Sequence, residues 1–152
     1  MVGKGCFVFV LLAVALRQSI TMELKTEDCG SHLGKVTGFS INCDKGSTKD
    51  YCIVSKGHKY TSELKIIPNK DIDNGTIAIV GKVGMINHHV NIPDNNMCHH
   101  GLQCPLKAGE EVTMSLSMDG PNSHFHVTVH VKMEIKTHGQ DFICLKYKIK
   151  VR

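Results

Sequence analysis

Between Phe125 and Ile135 the chain alternates without a break: Phe125, Val127, Val129, Val131, Met133 and Ile135 are apolar, while His124, His126, Thr128, His130, Lys132 and Glu134 are polar or charged. Successive side chains of a strand point to opposite faces, so this stretch predicts a half-buried strand with one core face and one water face. The same period of two recurs in Val112, Met114, Leu116 and Met118, and again in Ile143, Leu145, Tyr147, Ile149 and Val151. Tyr60, Leu64 and Ile66 give another strand and Ile77, Ile79 and Val83 a further one, while Val36, Phe39 and Ile41 predict a first, less regular strand. Turn signals fall between them at Pro68-Asn69-Lys70-Asp71, Asn74-Gly75 and His138-Gly139-Gln140-Asp141. Gly120-Pro121-Asn122 predicts a hairpin joining the Val112–Met118 and Phe125–Ile135 strands. About seven short strands with frequent turns indicate an antiparallel sandwich or barrel. A length of 152 residues accommodates one domain, and 41% hydrophobic content is enough to give it a core. Met114, Met118 and Met133 fall on predicted inner faces, where methionine serves either as gap-filler or as adaptable pocket lining.

The one non-alternating apolar run, Cys6 to Leu16, follows Lys4 and precedes Arg17-Gln18-Ser19, with no acidic residue before Glu23. That charged, apolar, polar order is a secretory signal peptide. A membrane-spanning helix needs roughly 20 apolar residues, about twice this run. Ala13-Val14-Ala15 lies inside the run, whereas Ser19-Ile20-Thr21 supplies small residues after it. Residues 1–21 are therefore assigned to the leader and residues 22–152 to the mature domain, which begins near Met22. The formal charge of +4 falls by two when Lys4 and Arg17 leave. A nucleic-acid binder shows a stronger, clustered basic excess, so no nucleic-acid partner is expected. Lys146, Lys148 and Lys150 alternate on one face of the last strand and read as the solvated edge of a sheet.

Of seven cysteines, Cys6 lies in the leader, leaving Cys29, Cys43, Cys52, Cys98, Cys104 and Cys144. An even number in a secreted domain indicates a disulfide framework. Spacing favours one pairing among the many possible. Cys43 and Cys52 bracket a turn-rich loop, Cys98 and Cys104 bracket another, and Cys29 and Cys144 remain to tie the start of the domain to its last strand. In the chain-entropy model the long loop is worth about 4–5 kcal/mol and each short one roughly 3 kcal/mol. Zinc is the competing use of cysteine, but no Cys-x2-Cys pair occurs.

Four segments in register carry a family resemblance: Asp28-Cys29-Gly30-Ser31, Cys52-Ile53-Val54-Ser55-Lys56-Gly57-His58-Lys59-Tyr60, Cys98 through Cys104-Pro105-Leu106 with Gly109, and Phe142-Ile143-Cys144. Together they resemble the MD-2-related lipid-recognition family, which includes the Niemann-Pick type C2 sterol carriers and the group 2 mite allergens. The resemblance implies an all-β fold, an immunoglobulin-like β-sandwich of two antiparallel sheets enclosing an apolar cavity, with the disulfide pairing that spacing favours. By position it implies a lipid-binding lining of Tyr60, Leu64, Ile66, Val83, Ile86, Val90, Val112, Met114, Phe125, Val127, Val129, Leu145 and Tyr147. The implied function is to carry a sterol, fatty acid, phospholipid or other apolar lipid. An alternative role is to present bound lipid to a membrane receptor or transporter in innate recognition. The implied place is outside the cell or in endosomal and lysosomal compartments. Where the sterol carriers are rich in proline ahead of the Cys98 loop, this chain reads Asn87-His88-His89-Val90-Asn91-Ile92-Pro93. The cargo class therefore stays open.

Catalysis and metal binding are not expected. His124, His126 and His130 share a predicted outward face, but histidines two apart on a strand sit about 6–7 Å apart and still need a ligand from elsewhere. No Gly-x-Ser-x-Gly elbow, His-Glu-x-x-His helix or phosphate-cradling glycine loop is present, and bridged cysteines are not nucleophiles. No cofactor is expected. Asn74-Gly75-Thr76 is the single glycosylation sequon. His88 falls on the apolar face with Ile86, Val90 and Ile92. Cargo that buried it would disfavour its charged form, so acid would weaken binding.

Overall fold

A computed structural model describes residues 20–122 and 124–152. Among these residues ten strands form: β1 (Ile20–Glu23), β2 (Glu27–Asp28), β3 (Gly34–Cys43), β4 (Cys52–Val54), β5 (Lys59–Pro68), β6 (Thr76–Val83), β7 (Ile86–His89), β8 (Val112–Asp119), β9 (Val127–Thr137) and β10 (Gln140–Val151). The order β1-β3-β5-β8 makes one four-stranded sheet. The order β2-β10-β9-β6-β7 makes the other, with β4 running parallel to the end of β10. The two sheets pack face to face as an all-β sandwich, each burying the apolar set that period-two alternation puts on one side. The irregular spacing of Val36 and Phe39 has a local cause: β3 carries a bulge between Val36 and Gly38, which resets the alternation.

The predicted hairpin between the Val112–Met118 and Phe125–Ile135 strands does not form. β8 pairs with β5 and β9 pairs with β6 and β10, so β8 ends in one sheet and β9 begins in the other. β9 also starts later than the alternation suggests. Its register on β10 begins at Val127 opposite Val151, and Phe125 lies ahead of the paired residues. Nor is β10 an edge. It lies between β9 and the short β2 and β4, and its outward lysines are covered in part: Lys150 Nζ sits 3.6 Å from the centroid of the Tyr51 ring.

The expected disulfides are present. Cys29–Cys144 ties the segment after β2 to β10, Cys43–Cys52 joins the end of β3 to β4, and Cys98–Cys104 closes the loop before β8. The expected leader, residues 1–21, lies outside the described residues apart from its last two positions. Ile20 and Thr21 open β1 opposite Cys43 and Asn42, so this strand starts two residues ahead of the expected mature N-terminus.

One half of the sandwich is solid. Phe39, Leu64 and Met114 lie side by side across β3, β5 and β8, facing Met133 and Leu145 on β9 and β10. All five are at most 2% exposed. Further along the same faces, Ile66, Ile135 and Ile143 are fully buried.

Candidate functional site

The other half of the sandwich is hollow. Between the sheets lies a cavity of about 740 Å³, and its boundary follows the residue layers. The innermost lining layer is Gly81–Val131–Tyr147 on the six-stranded sheet and Ile41–Ser62–Leu116 on the four-stranded sheet, each set in lateral register. One layer deeper the space is filled by the solid half; from that layer only Ile79 reaches the cavity, beside the side-chain-free Gly81. Toward the mouth the lining continues through Val129 and Ile149, then Val127 and Val151, with Tyr60 and Met118 opposite.

Side-chain length explains why one half fills and the other does not. Packed sheets stand about 10 Å apart, and long side chains from both are needed to bridge that gap. In the solid half the six-stranded sheet contributes Met133 and Leu145. In the hollow half Gly81, Val83, Val127, Val129 and Val131 are too short to meet the far sheet, and Tyr147 reaches Phe39 only at the floor. At Gly81 even one added carbon would press on Val129 Cγ1 at 2.9 Å.

The rim combines a turn, a crossing loop and a polar latch. Gly84, at φ +58°, leads the two-residue turn from Val83 to Ile86 that aims β7 back along the opening. The loop Asp119–Asn122 crosses the mouth, held where the Gly120 amide donates to the His58 carbonyl at 2.7 Å. Only glycine fits there, because a Cβ would collide with the Ser55 carbonyl oxygen. Beside it the Tyr60 hydroxyl donates to Asp44 Oδ2 at 3.0 Å and accepts from the Ser55 amide at 2.6 Å. Asp44 Oδ1 also meets His58 Nδ1 at 3.2 Å. Burial, set against the Ser55 amide and reinforced by Asp44, pushes the Tyr60 phenol up to about 12.

Of the fourteen expected lining residues, eight face the cavity: Tyr60, Val83, His88, Val90, Phe125, Val127, Val129 and Tyr147. Six do not, and the structure corrects them. Leu64, Met114 and Leu145 belong to the filled layer just below, and Ile66 and Val112 lie one layer deeper. Ile86 shares a face with His88 but overhangs the mouth, 63% exposed. Phe125 reaches the cavity from the crossing loop and is 70% exposed. His88 is also exposed, opposite Gly81. Val131, Ile149, Val151, Leu116 and Met118 line the cavity on faces the alternation identifies, but nothing in alternation gives depth. The loop residues Asp119, Gly120, Pro121 and Asn122 carry no periodic signal at all.

His124 and His126 lie in the crossing loop and only His130 on β9. Among the described residues no group of three or more His, Cys, Asp or Glu side chains is placed to hold a metal ion. Asn74 is exposed in the loop before β6, where its Oδ1 accepts from the Thr137 hydroxyl at 3.3 Å.

Comparison with known proteins agrees with this architecture. A Niemann-Pick type C2 protein from the Japanese carpenter ant superposes with a TM-score of 0.74 over 85% of this chain and 100% of its own, at 20% identity, which establishes the shared fold. In sequence, the mite group 2 allergen Lep d 2 of Lepidoglyphus destructor is 33% identical over 70% of this chain and 69% of its own length. The allergen Pso o 2 of Psoroptes ovis is 28% identical over 74% of each. The bovine NPC intracellular cholesterol transporter 2 is 23% identical over 95% of this chain and 94% of its own. The ML domain profile matches residues 23–151, nearly the whole described chain, and the protein belongs to the ML domain family.

Proposed function

We propose that this protein is a secreted carrier that holds an apolar lipid in the hollow half of its sandwich. The observation that carries the reading is the cavity: about 740 Å³, inside the range of ligand sites, walled by aliphatic side chains, with its few polar groups mostly at the mouth. A cholesterol transporter among the relatives supports carriage as the shared activity. Among the described residues of the lining none forms a nucleophile beside an oriented base, which supports carriage without chemistry. The leader at residues 1–21, the three disulfides and a glycan on Asn74 fit a secreted route.

The test is displacement of a fluorescent lipid probe by fatty acids, sterols and phospholipids, paired with native mass spectrometry of protein taken from its source. Binding of at least one class is expected. Failure of all three would return the cavity to an unfilled packing defect. A second reading, presentation of loaded cargo to a receptor, draws on the apolar rim formed by Met85, Ile86, Val90 and Phe125, which are 91%, 63%, 41% and 70% exposed. A carrier exchanges cargo unaided, whereas a presenter binds its protein partner only when loaded.

A further inference from the structure

Tyr147 is an unusual residue to find at the floor of an apolar cavity. It stands on β10 beside Val131, and its ring packs against Phe39 of the opposite sheet with centroids 4.7 Å apart. It is 6% exposed, yet its hydroxyl makes no hydrogen bond to any described residue. The other polar groups of the lining are either used or at the mouth. The Tyr60 hydroxyl is committed to Asp44, and the Ser62 hydroxyl donates to the Leu116 carbonyl at 3.3 Å. His88, Asp119 and Asn122 are exposed at the opening. A buried hydroxyl without a partner is destabilising, and a phenylalanine of the same shape would avoid that cost. The hydroxyl is not sealed into the protein, because the cavity reaches the side chain that bears it.

We propose that Tyr147 is the internal hydrogen-bond anchor for cargo, so that an apolar molecule enters polar end first and carries a small uncharged oxygen group. This rests on the cavity being the cargo site. The phenol is the donor: burial alone pushes its pKa well above the ordinary tyrosine value, so it keeps its proton at physiological pH. No lysine, arginine or histidine stands in the floor layer, so an ionised carboxylate or phosphate placed there would be desolvated without a counter-charge. A hydroxyl, ketone or aldehyde meets one donor and needs no charge. The chemical class is thus a neutral oxygenated lipid, bound with its hydrocarbon portion toward the mouth.

The experiment compares dodecan-1-ol with dodecane, which share a chain and differ in one oxygen, on the natural protein and on Tyr147→Phe. One hydrogen bond predicts that the substitution weakens the alcohol about five- to tenfold while leaving or improving the alkane. An unchanged preference for alcohol over alkane in Tyr147→Phe would overturn the anchor. A crystal structure with 12-bromododecan-1-ol gives the orientation independently of stability. Bromine near the mouth and oxygen at Tyr147 is the expected result, and bromine at the floor overturns it. If neither compound binds either protein, while both proteins keep their folded melting transitions, the cavity reading itself fails and takes the anchor with it.

Discussion

The two halves of this sandwich obey the same sequence rule and end in opposite states. On β5, Leu64 and Ile66 are buried in solid packing, while Tyr60 and Ser62, on the same face of the same strand, look into open space. On β9, Met133 and Ile135 are sealed, and Val127 and Val129 remain half-buried against the cavity. Alternation decides which face points inward. Whether that face meets a partner depends on how far each side chain reaches across the gap, and the valines and Gly81 of the hollow half fall short. A cavity of this kind is encoded as a local shortening of side chains inside an otherwise ordinary core pattern.

The largest expected effect comes from making the solid half hollow. Leu64→Ala removes a side chain packed between Phe39 and Met114 and should cost about 2–5 kcal/mol, read as a lowered midpoint in chemical denaturation. A loss below about 1 kcal/mol would mean that this layer is not close-packed.

The converse substitution fills the hollow half. Val129→Phe projects into open space and should leave stability within about 1 kcal/mol of the natural protein while abolishing displacement of the lipid probe. Strong destabilisation with binding intact would erase the distinction between the halves.

Tyr60 tests the boundary. Tyr60→Phe strips the Ser55 amide of its acceptor and Asp44 of a donor, a loss of about 1–2 kcal/mol in denaturation. The pH dependence has a definite sign. A phenol raised to about 12 when folded keeps its proton more tightly than in the unfolded chain, so its contribution is complete below about 10 and is lost as pH rises toward 12. Tyr147 is shifted the same way. The natural protein should therefore lose stability over that alkaline range more steeply than the Tyr60→Phe, Tyr147→Phe double variant.

The smallest effect lies far from the cavity. Asp28 accepts from the amides of Gly30 and Ser31 at 2.9 and 3.0 Å, and bonding to Ser31 above all, then to Gly30, lowers its pKa. A lowered carboxylate stabilises above its unfolded value of about 3.9 and stops doing so as pH falls through the folded one. Asp28→Ala should cost at most about 1 kcal/mol at neutral pH, with the difference vanishing in acid.

Much of this architecture is legible in the sequence. The strands at Val112–Met118 and Ile143–Val151, the inward sides of most elements and the even cysteine count follow from residue order, and the disulfide pairing from spacing and family resemblance. The pairing of β8 with β5 instead of β9 is not legible, because a Gly-Pro-Asn turn serves a hairpin and a crossing between sheets equally well. Nor is the depth that separates Val129, on the cavity, from Leu145, beneath it. Both sit on inward faces, and only the three-dimensional register shows that Leu145 lies beside Met133 in the filled layer. Phe125 shows a third limit, since its alternation continues that of β9 while the pairing begins only at Val127.

Under the proposed carriage, cargo occupies the hollow half and leaves the solid half untouched. Intermolecular nuclear Overhauser effects between a bound lipid and methyl-labelled protein test it residue by residue. Contacts are expected to the methyls of Ile79, Val129, Val131 and Leu116 and none to those of Leu64, Ile66 and Ile135. Contacts confined to the outer faces of the sheets, or reaching the Leu64 layer as strongly as Val129, would contradict it.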